Sequence, residues 1–294
     1  MASPAPLPEP TPGLALSLES SYFGFYAHAG FAAALLEKGI RPMFLAGASS
    51  GSVIAMLLGA GFSTGEIRNI IFDPKFKWSF WEPMSFVRGI AMMLNWPGVS
   101  GLTTAKGAEK YLAGLLRDRA PNIEDCHYAE VSLAVANLNL LRTEILTEGN
   151  ASAAMIASCA FPCLIAPQKI ASGYCWDGGV ANSSPFLHYA DDDRVQTVVT
   201  HHIHHHSLAD RWDQPNFKPR IADTFARGHL LITEEIHRLH LQRMADAGKR
   251  MLPVTTTTDR PGLTSRMASQ HKCYDTGWES GSTFADQYLA GKLS

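Results

Sequence analysis

Residues 43–61, MFLAGASSGSVIAMLLGAG, set four glycines and three serines between two apolar runs. An apolar run of strand length, a joint of small residues and a second apolar run closed by glycine read as a strand, a tight turn and a helix. Gly47-Ala48-Ser49-Ser50-Gly51 fits the pattern G-x-S-x-G. In that pattern the serine stands at the apex of a sharp strand-to-helix turn. Its backbone is strained, and the residues two places away on either side must be small. Ser49 has glycine at both places; Ser50 and Ser52 do not. Ser49 also lies at the start of the helix, where free N–H groups and the dipole favour developing negative charge. The bland reading is a small-residue turn that lets a helix pack closely on a sheet. A strand before and a helix after are the context that a nucleophilic serine requires.

Working outward, residues 14–18 (LALSL) read as a buried strand, 24–40 as a helix rich in small and apolar residues, 42–47 as a second strand and 52–61 as a second helix. This β-α-β-α order points to an α/β fold, a mostly parallel sheet between helical layers. Further on, 102–116 reads as an amphipathic helix, 130–149 as strand-turn-strand, 151–160 as a small-residue helix, 169–186 as a strand running into a turn, and 195–206 as a strand. Residues 221–249 have helical spacing and the last 45 residues are weakly patterned. The expected organisation is a proline-rich flexible tail over 1–13 and one domain over 14–294, of which 221–294 forms a helical C-terminal extension.

The chain has 294 residues, 46% hydrophobic and 18% charged, with net charge −2. That composition supports a large core and gives no clustered basic face for nucleic acid. Five cysteines without CxxC spacing (Cys126, Cys159, Cys163, Cys175, Cys273) read as reduced thiols. No apolar run is long enough to span a bilayer, and the N-terminus lacks the basic segment of a signal peptide. The expectation is a cytoplasmic protein with transient contact to a membrane surface.

A serine hydroxyl needs a base. In an α/β-hydrolase several strands precede the serine elbow, whereas here one does. Three blocks instead resemble the patatin-like phospholipases. GASSGSVIA is similar to the family's serine elbow, and ASCAFPCLIAP (157–167) to the segment that precedes its aspartate. WDGGVANSSP (176–185) resembles its D-G-G motif. The resemblance covers roughly residues 14–205. It implies a three-layer α/β/α fold and a Ser–Asp dyad, Ser49 as nucleophile and Asp177 as base, without cofactor or metal. Gly47, Gly51, Gly178, Gly179 and Asn182 shape the two turns. Read from its residues alone, Asp177-Gly178-Gly179 is equally an ordinary tight turn in which the aspartate caps its own backbone.

One block departs from the family. Where the resemblance leads one to expect a glycine-rich oxyanion loop, this chain has Glu19-Ser20-Ser21-Tyr22-Phe23-Gly24. Losing one oxyanion donor costs roughly 10²–10³ in rate. Oxyanion donors are therefore sought among Ser20, Ser21, Tyr22, Phe23 and Gly24, together with the N–H of Ser50. Glu19 must turn away. Two functions stay open: a hydrolase of lipid esters with an altered oxyanion hole, or a fold retained to bind acyl chains or a protein partner. A third is an esterase that uses His28, His229, His237 or His240 as base. His201, His202, His204, His205 and His206 invite a metal reading, with 202, 204 and 206 on one strand face, but no further ligand set accompanies them. Residues 76–96 hold Trp78, Trp81 and Trp96 among methionines and phenylalanines on a broken pattern. They read either as a lid or lipid-facing surface or as core beneath a long loop. Head group, chain length and oligomeric state leave no mark in the sequence.

Overall fold

The computed structural model describes residues 9–181, 184–205, 212, 216, 218–219, 221–259, 261 and 266–293. It opens with the alternation read from the sequence: β1 (Thr11–Leu18), α1 (Phe25–Glu37), β2 (Pro42–Ala48) and α2 (Ser50–Gly59). Then come α3 (Thr64–Phe72), α4 (Pro74–Ser79), α5 (Ser85–Met93), β3 (Gly101–Thr103) and α6 (Lys106–Leu116). β4 (Glu130–Asn137), β5 (Arg142–Leu146), α7 (Ala151–Ser158), β6 (Cys163–Ile165), β7 (Gln168–Ile170) and β8 (Gly173–Asp177) follow. The chain ends with β9 (Thr197–His205), α8 (Ile221–Asp246), β10 (Arg250–Thr258) and α9 (Met267–Leu289).

The central sheet runs β10-β9-β1-β2-β4-β8-β7, with β5 also paired to β4. The five strands from β10 to β4 are parallel, while β5, β7 and β8 are antiparallel to their neighbours. Strand alternation sorts the core onto both faces. Leu14, Leu16 and Leu18 of β1 join the cluster under α1 and α2, and Ala15 packs with Phe44, Phe186, Tyr189 and Met244 on the other side. The register sets the site. Leu18 pairs with Gly47 on one side and His201 on the other, Ala48 pairs with Ala134, and Val135 pairs with Asp177. The chain segments that follow β1 and β2 thus emerge side by side, with β9 next to β1, and β4 alone separates the Ser49 turn from Asp177.

Three expectations are corrected. The tail does not reach residue 13, because Thr11 already pairs with Pro42 and Gly13, at φ +68°, absorbs the irregularity before Ala15. Residues 76–96 are neither loop nor irregular: α4 and α5 flank the Pro83 break, with Phe76 in the core and most of the other large apolar side chains exposed. The segment after residue 249 is not merely helical, since β10 pairs with β9 from Arg250↔Thr197 to Thr258↔His205. Short β3, which pairs with β6, also precedes the helix read over 102–116. All five cysteines are free.

Candidate active site

Ser49 occupies the joint between β2 and α2 with φ +53° and ψ −123°, a region a non-glycine residue enters only when its surroundings force it there. The two glycines that frame it are required sterically. A Cβ on Gly51 would lie 2.1 Å from the Leu18 carbonyl oxygen, and one on Gly47 would lie 2.6 Å from the Gly51 carbonyl oxygen. The strained turn is held at both backbone groups. Ser49 N–H donates to Ser158 Oγ (2.9 Å), which itself donates to the Ala134 carbonyl (2.7 Å). The Ser49 carbonyl accepts from Ser52 N–H (2.9 Å), Ser52 Oγ (2.6 Å) and Cys159 Sγ (3.2 Å). These bonds leave the half-buried Ser49 hydroxyl as the group the turn presents. Ser50 is buried as the first residue of α2, where N–H groups have no intrahelical acceptor.

Asp177 ends β8 and is 1% exposed. Its N–H donates to the Ala160 carbonyl (3.0 Å), tying it to the end of α7. Its Oδ1 accepts from Gly179 N–H (2.8 Å) and from Ser20 Oγ (3.4 Å). The aspartate thus does cap its own turn, a 3₁₀ segment over Gly178–Val180. It faces Ser49 as well. Burial raises the carboxyl pKa to about 6, and the Ser49 side chain is the strongest of the hydrogen-bonding influences that pull it back, ahead of Gly179 and Ser20. A carboxylate so desolvated, beside a serine hydroxyl, is a better proton acceptor than one in water. Gly178 packs against β4, where a Cβ would meet the Ala134 carbonyl oxygen at 2.4 Å. Asn182 lies outside the described residues.

The 19–24 segment runs past the Asp177 turn, which Ser20 touches. Phe23 takes φ +53°, the left-handed conformation in which glycine is least costly. Gly24 N–H donates to the Ser21 carbonyl (3.2 Å) and Gly24 caps α1. The two serine hydroxyls are engaged elsewhere, Ser20 with Asp177 and Ser21 with His205 Nε2 (2.8 Å). Tyr22 is exposed. Among the described residues, the N–H groups of Ser20, Ser21, Phe23 and Ser50 donate to no backbone carbonyl. Glu19 turns to the opposite face of the sheet, as strand alternation with Ala15 and Ser17 dictates. There its carboxylate meets His202 Nδ1 (2.8 Å) and His237 Nδ1 (3.5 Å).

The hydrogen bonds of the described histidines run to one another or to other residues rather than to Ser49. His28 Nε2 must donate to the Glu19 carbonyl (2.9 Å), because that oxygen can only accept. A neutral His28 therefore accepts at Nδ1 from His201 Nδ1 (2.8 Å), and His201 Nε2 accepts from Thr256 Oγ1 (2.8 Å). Burial pushes the His28 pKa down to about 3 and that of His201 well below its usual value. His237 bonds to Ser184, and burial lowers the pKa of His240. His206 and the side chain of His229 lie outside the described residues. Among the described residues, no three His, Cys, Asp or Glu side chains converge as a metal site.

Sequence reasoning overlooked Ser158, although it sits in the 157–167 block. Its reach to Ser49 N–H depends on α7 lying beside α2, which no local pattern announces. It also overlooked the attachment of Ser21 and Glu19 to β9.

A sequence model of the Patatin-like phospholipase family matches residues 16–190. The uncharacterized protein R571 of Acanthamoeba polyphaga mimivirus is 25% identical over 199 residues, 62% of this chain and 63% of that protein. The chain therefore matches less than two thirds of that relative's length. Among solved structures, VipD from Legionella pneumophila superposes with TM-score 0.52 at 15% identity, over 94% of this chain and 67% of that one. The type III effector ExoU, known from Pseudomonas aeruginosa, gives 0.45 at 12%, over 95% of this chain and 54% of that one.

Proposed function

This chain belongs to the patatin-like phospholipase family, a family of lipid acyl hydrolases, and from that premise we propose that it cleaves lipid carboxylic esters with Ser49 and Asp177 as its dyad. The reading is carried by one observation: a serine strained into an elbow beside a buried carboxylate of raised pKa. Ser49 Oγ attacks the ester carbonyl as Asp177 takes its proton. The oxyanion is held by the N–H of Ser50 at the α2 N-terminus and by N–H groups of the loop at Ser20, Ser21, Tyr22 and Phe23, whereas the Gly24 N–H is already bonded to the Ser21 carbonyl. Asp177 returns the proton to the leaving alcohol. Water, deprotonated by the same carboxylate, then releases the fatty acid. No cofactor enters this scheme.

Because the base form of Asp177 is the active one, kcat/KM for a soluble ester is expected to rise with pH through about 6. An unperturbed aspartate would place that limb near pH 4. A limb at pH 4, or none, would assign the base elsewhere.

The same reading places the α4–α5 face on a phospholipid surface. Phe86 and Met93 are 77% and 83% exposed, and Met84, Leu94 and Trp96 stand out beside them. Between residues 83 and 105 the sole charged residue is Arg88, while Lys75, Lys77, Lys106 and Lys110 flank the stretch together with Asp73, Glu82 and Glu109. An apolar face with lysines in a mixed-charge margin suits a bilayer surface. Through β3 this segment is joined to β6, which follows Ser158 and Cys159 by only a few residues. No helix among the described residues is long and apolar enough to cross a membrane. Burying either side chain in the interface is worth about 2 kcal/mol. The double variant Phe86→Asp/Met93→Asp is therefore expected to co-sediment with phosphatidylserine vesicles at least about tenfold more weakly than wild type. Equal sedimentation of the two proteins would remove the contact from this face.

A further inference from the structure

The structure joins the histidine run of β9 to the glycine-poor loop. We propose that Glu19, His202 and His205 are positioning residues, which hold the 20–24 loop in its oxyanion-binding shape by side-chain tethers from the neighbouring strand. The proposal rests on the Ser49–Asp177 reading and adds to it how the hole is kept in shape without glycines.

Glycines form a tight turn at little steric cost, and a loop of Ser, Tyr and Phe needs some other constraint to stay in one conformation. That constraint brackets the loop at both ends. Before it, Glu19 is fixed through its backbone N–H, its carbonyl and one carboxylate oxygen. Its N–H donates to the His201 carbonyl (3.2 Å), its carbonyl accepts from His28 Nε2, and its carboxylate is held by His202. Within it, Ser21 Oγ is bonded to His205 Nε2 at 2.8 Å, in a buried contact. Between the two, Ser20 lies against the Asp177 turn, its Oγ 2.1 Å from where a Gly179 Cβ would stand. Strand alternation explains why a run of histidines serves. His201, Ile203 and His205 are buried on the side of α1 and the loop, while His202 points with Glu19 to the other face. One strand thus grips the loop from both faces of the sheet, and the carboxylate that would oppose an oxyanion is locked away from it. His202 is kept as a suitable partner. Burial disfavours its charged ring, yet Glu19, aided by Glu234, raises its pKa overall.

The test is steady-state hydrolysis of a soluble p-nitrophenyl ester, with kcat and KM separated, alongside melting temperatures. His205→Phe removes the bond to Ser21 and is expected to lower kcat about tenfold or more while KM stays within about threefold. His205→Gln, whose amide nitrogen falls near the Nε2 position, is expected to recover most of that loss. Ser21→Ala removes the other end with little change in packing and should match His205→Phe. The double variant should lose no more than either single one, since one bond is at stake. Glu19→Gln is expected to lower kcat in the same way. Should His205→Phe fail to fold, Ser21→Ala and Glu19→Gln decide the matter alone. An active wild type with unchanged kcat in folded Ser21→Ala and Glu19→Gln overturns the tethers and leaves the dyad standing. Equal falls in melting temperature and kcat with no recovery in His205→Gln would also overturn them, as a structural role. An inactive, folded wild type overturns the dyad itself.

Discussion

Replacing Ser49 with alanine is expected to lower ester hydrolysis by about 10⁴-fold or more and to abolish labelling by a fluorophosphonate, with the fold intact. The size follows from the chemistry: a methyl group cannot form the acyl-enzyme, and oxyanion donors and binding supply only the residual rate. The fold survives because the bonds that hold the elbow come from the Ser49 N–H and carbonyl, which alanine keeps. Asp177→Asn is expected to lose a comparable factor, since an amide cannot accept the serine proton although it can still accept from Gly179 N–H. Labelling retained in Ser49→Ala would move the nucleophile to another residue. Folded wild-type protein that does not label at all would favour the non-enzymatic reading, in which the fold binds acyl chains or a partner. Near-normal activity in Asp177→Asn would favour a histidine base.

The second large effect is on stability towards acid. His28 and His201 are buried, neutral and bonded to each other, with pKa values far below those of the unfolded chain. Below pH 6.5 the unfolded state therefore binds two protons that the native state refuses. Their contribution is complete above that pH and is lost as pH falls, at about 2.7 kcal/mol per pH unit for the pair. Asp177 acts with the opposite sign. Its native pKa of about 6 exceeds the unfolded value, so the native state takes up a proton as pH falls through 6, which offsets one of the two. From these three groups wild type should lose about 1.4 kcal/mol per unit between pH 6 and 5, and Asp177→Asn about twice that, a difference of about 1.4 kcal/mol per unit. Burial also lowers the pKa of His188 and His240, and, against burial, Glu19 raises that of His202; these add to and subtract from both slopes alike and cancel in the difference. Urea unfolding at pH 7, 6 and 5 measures the slopes. Parallel slopes would show that Asp177 titrates normally, and a flat profile in Asp177→Asn would show that the histidines do.

The parts legible before any coordinates are those governed by near neighbours. The serine elbow is one: Gly47 and Gly51 are demanded by contacts that any strand-to-helix turn of this kind makes. The Asp177 turn is another, and it was readable through its resemblance to a known motif rather than from its residues, which equally describe a plain cap. The aromatic stretch was half legible. Its composition announced a surface of unusual character, but only the exposure of Phe86 and Met93 against the burial of Phe76 separates surface from core.

By itself the sequence determined a β-α-β-α start, a strained serine at its second strand-to-helix joint, and a carboxylate on a tight glycine turn, because steric and capping forces act over a few residues. Tertiary structure alone decided that the two residues come near each other, since that depends on β4 pairing with β2 at Ala134 and with β8 at Val135. It also decided the C-terminal layer. The helix α9 carries Gly277 and Gly281, poor helix formers in isolation, because the backbone of α1 approaches so closely that a Cβ there would stand 2.2 Å from the Ala27 carbonyl oxygen or 2.6 Å from that of Phe31. Contacts between segments more than two hundred residues apart leave no periodicity to read, and the separation of 184 residues between Ser21 and His205 likewise hid the grip of β9 on the loop.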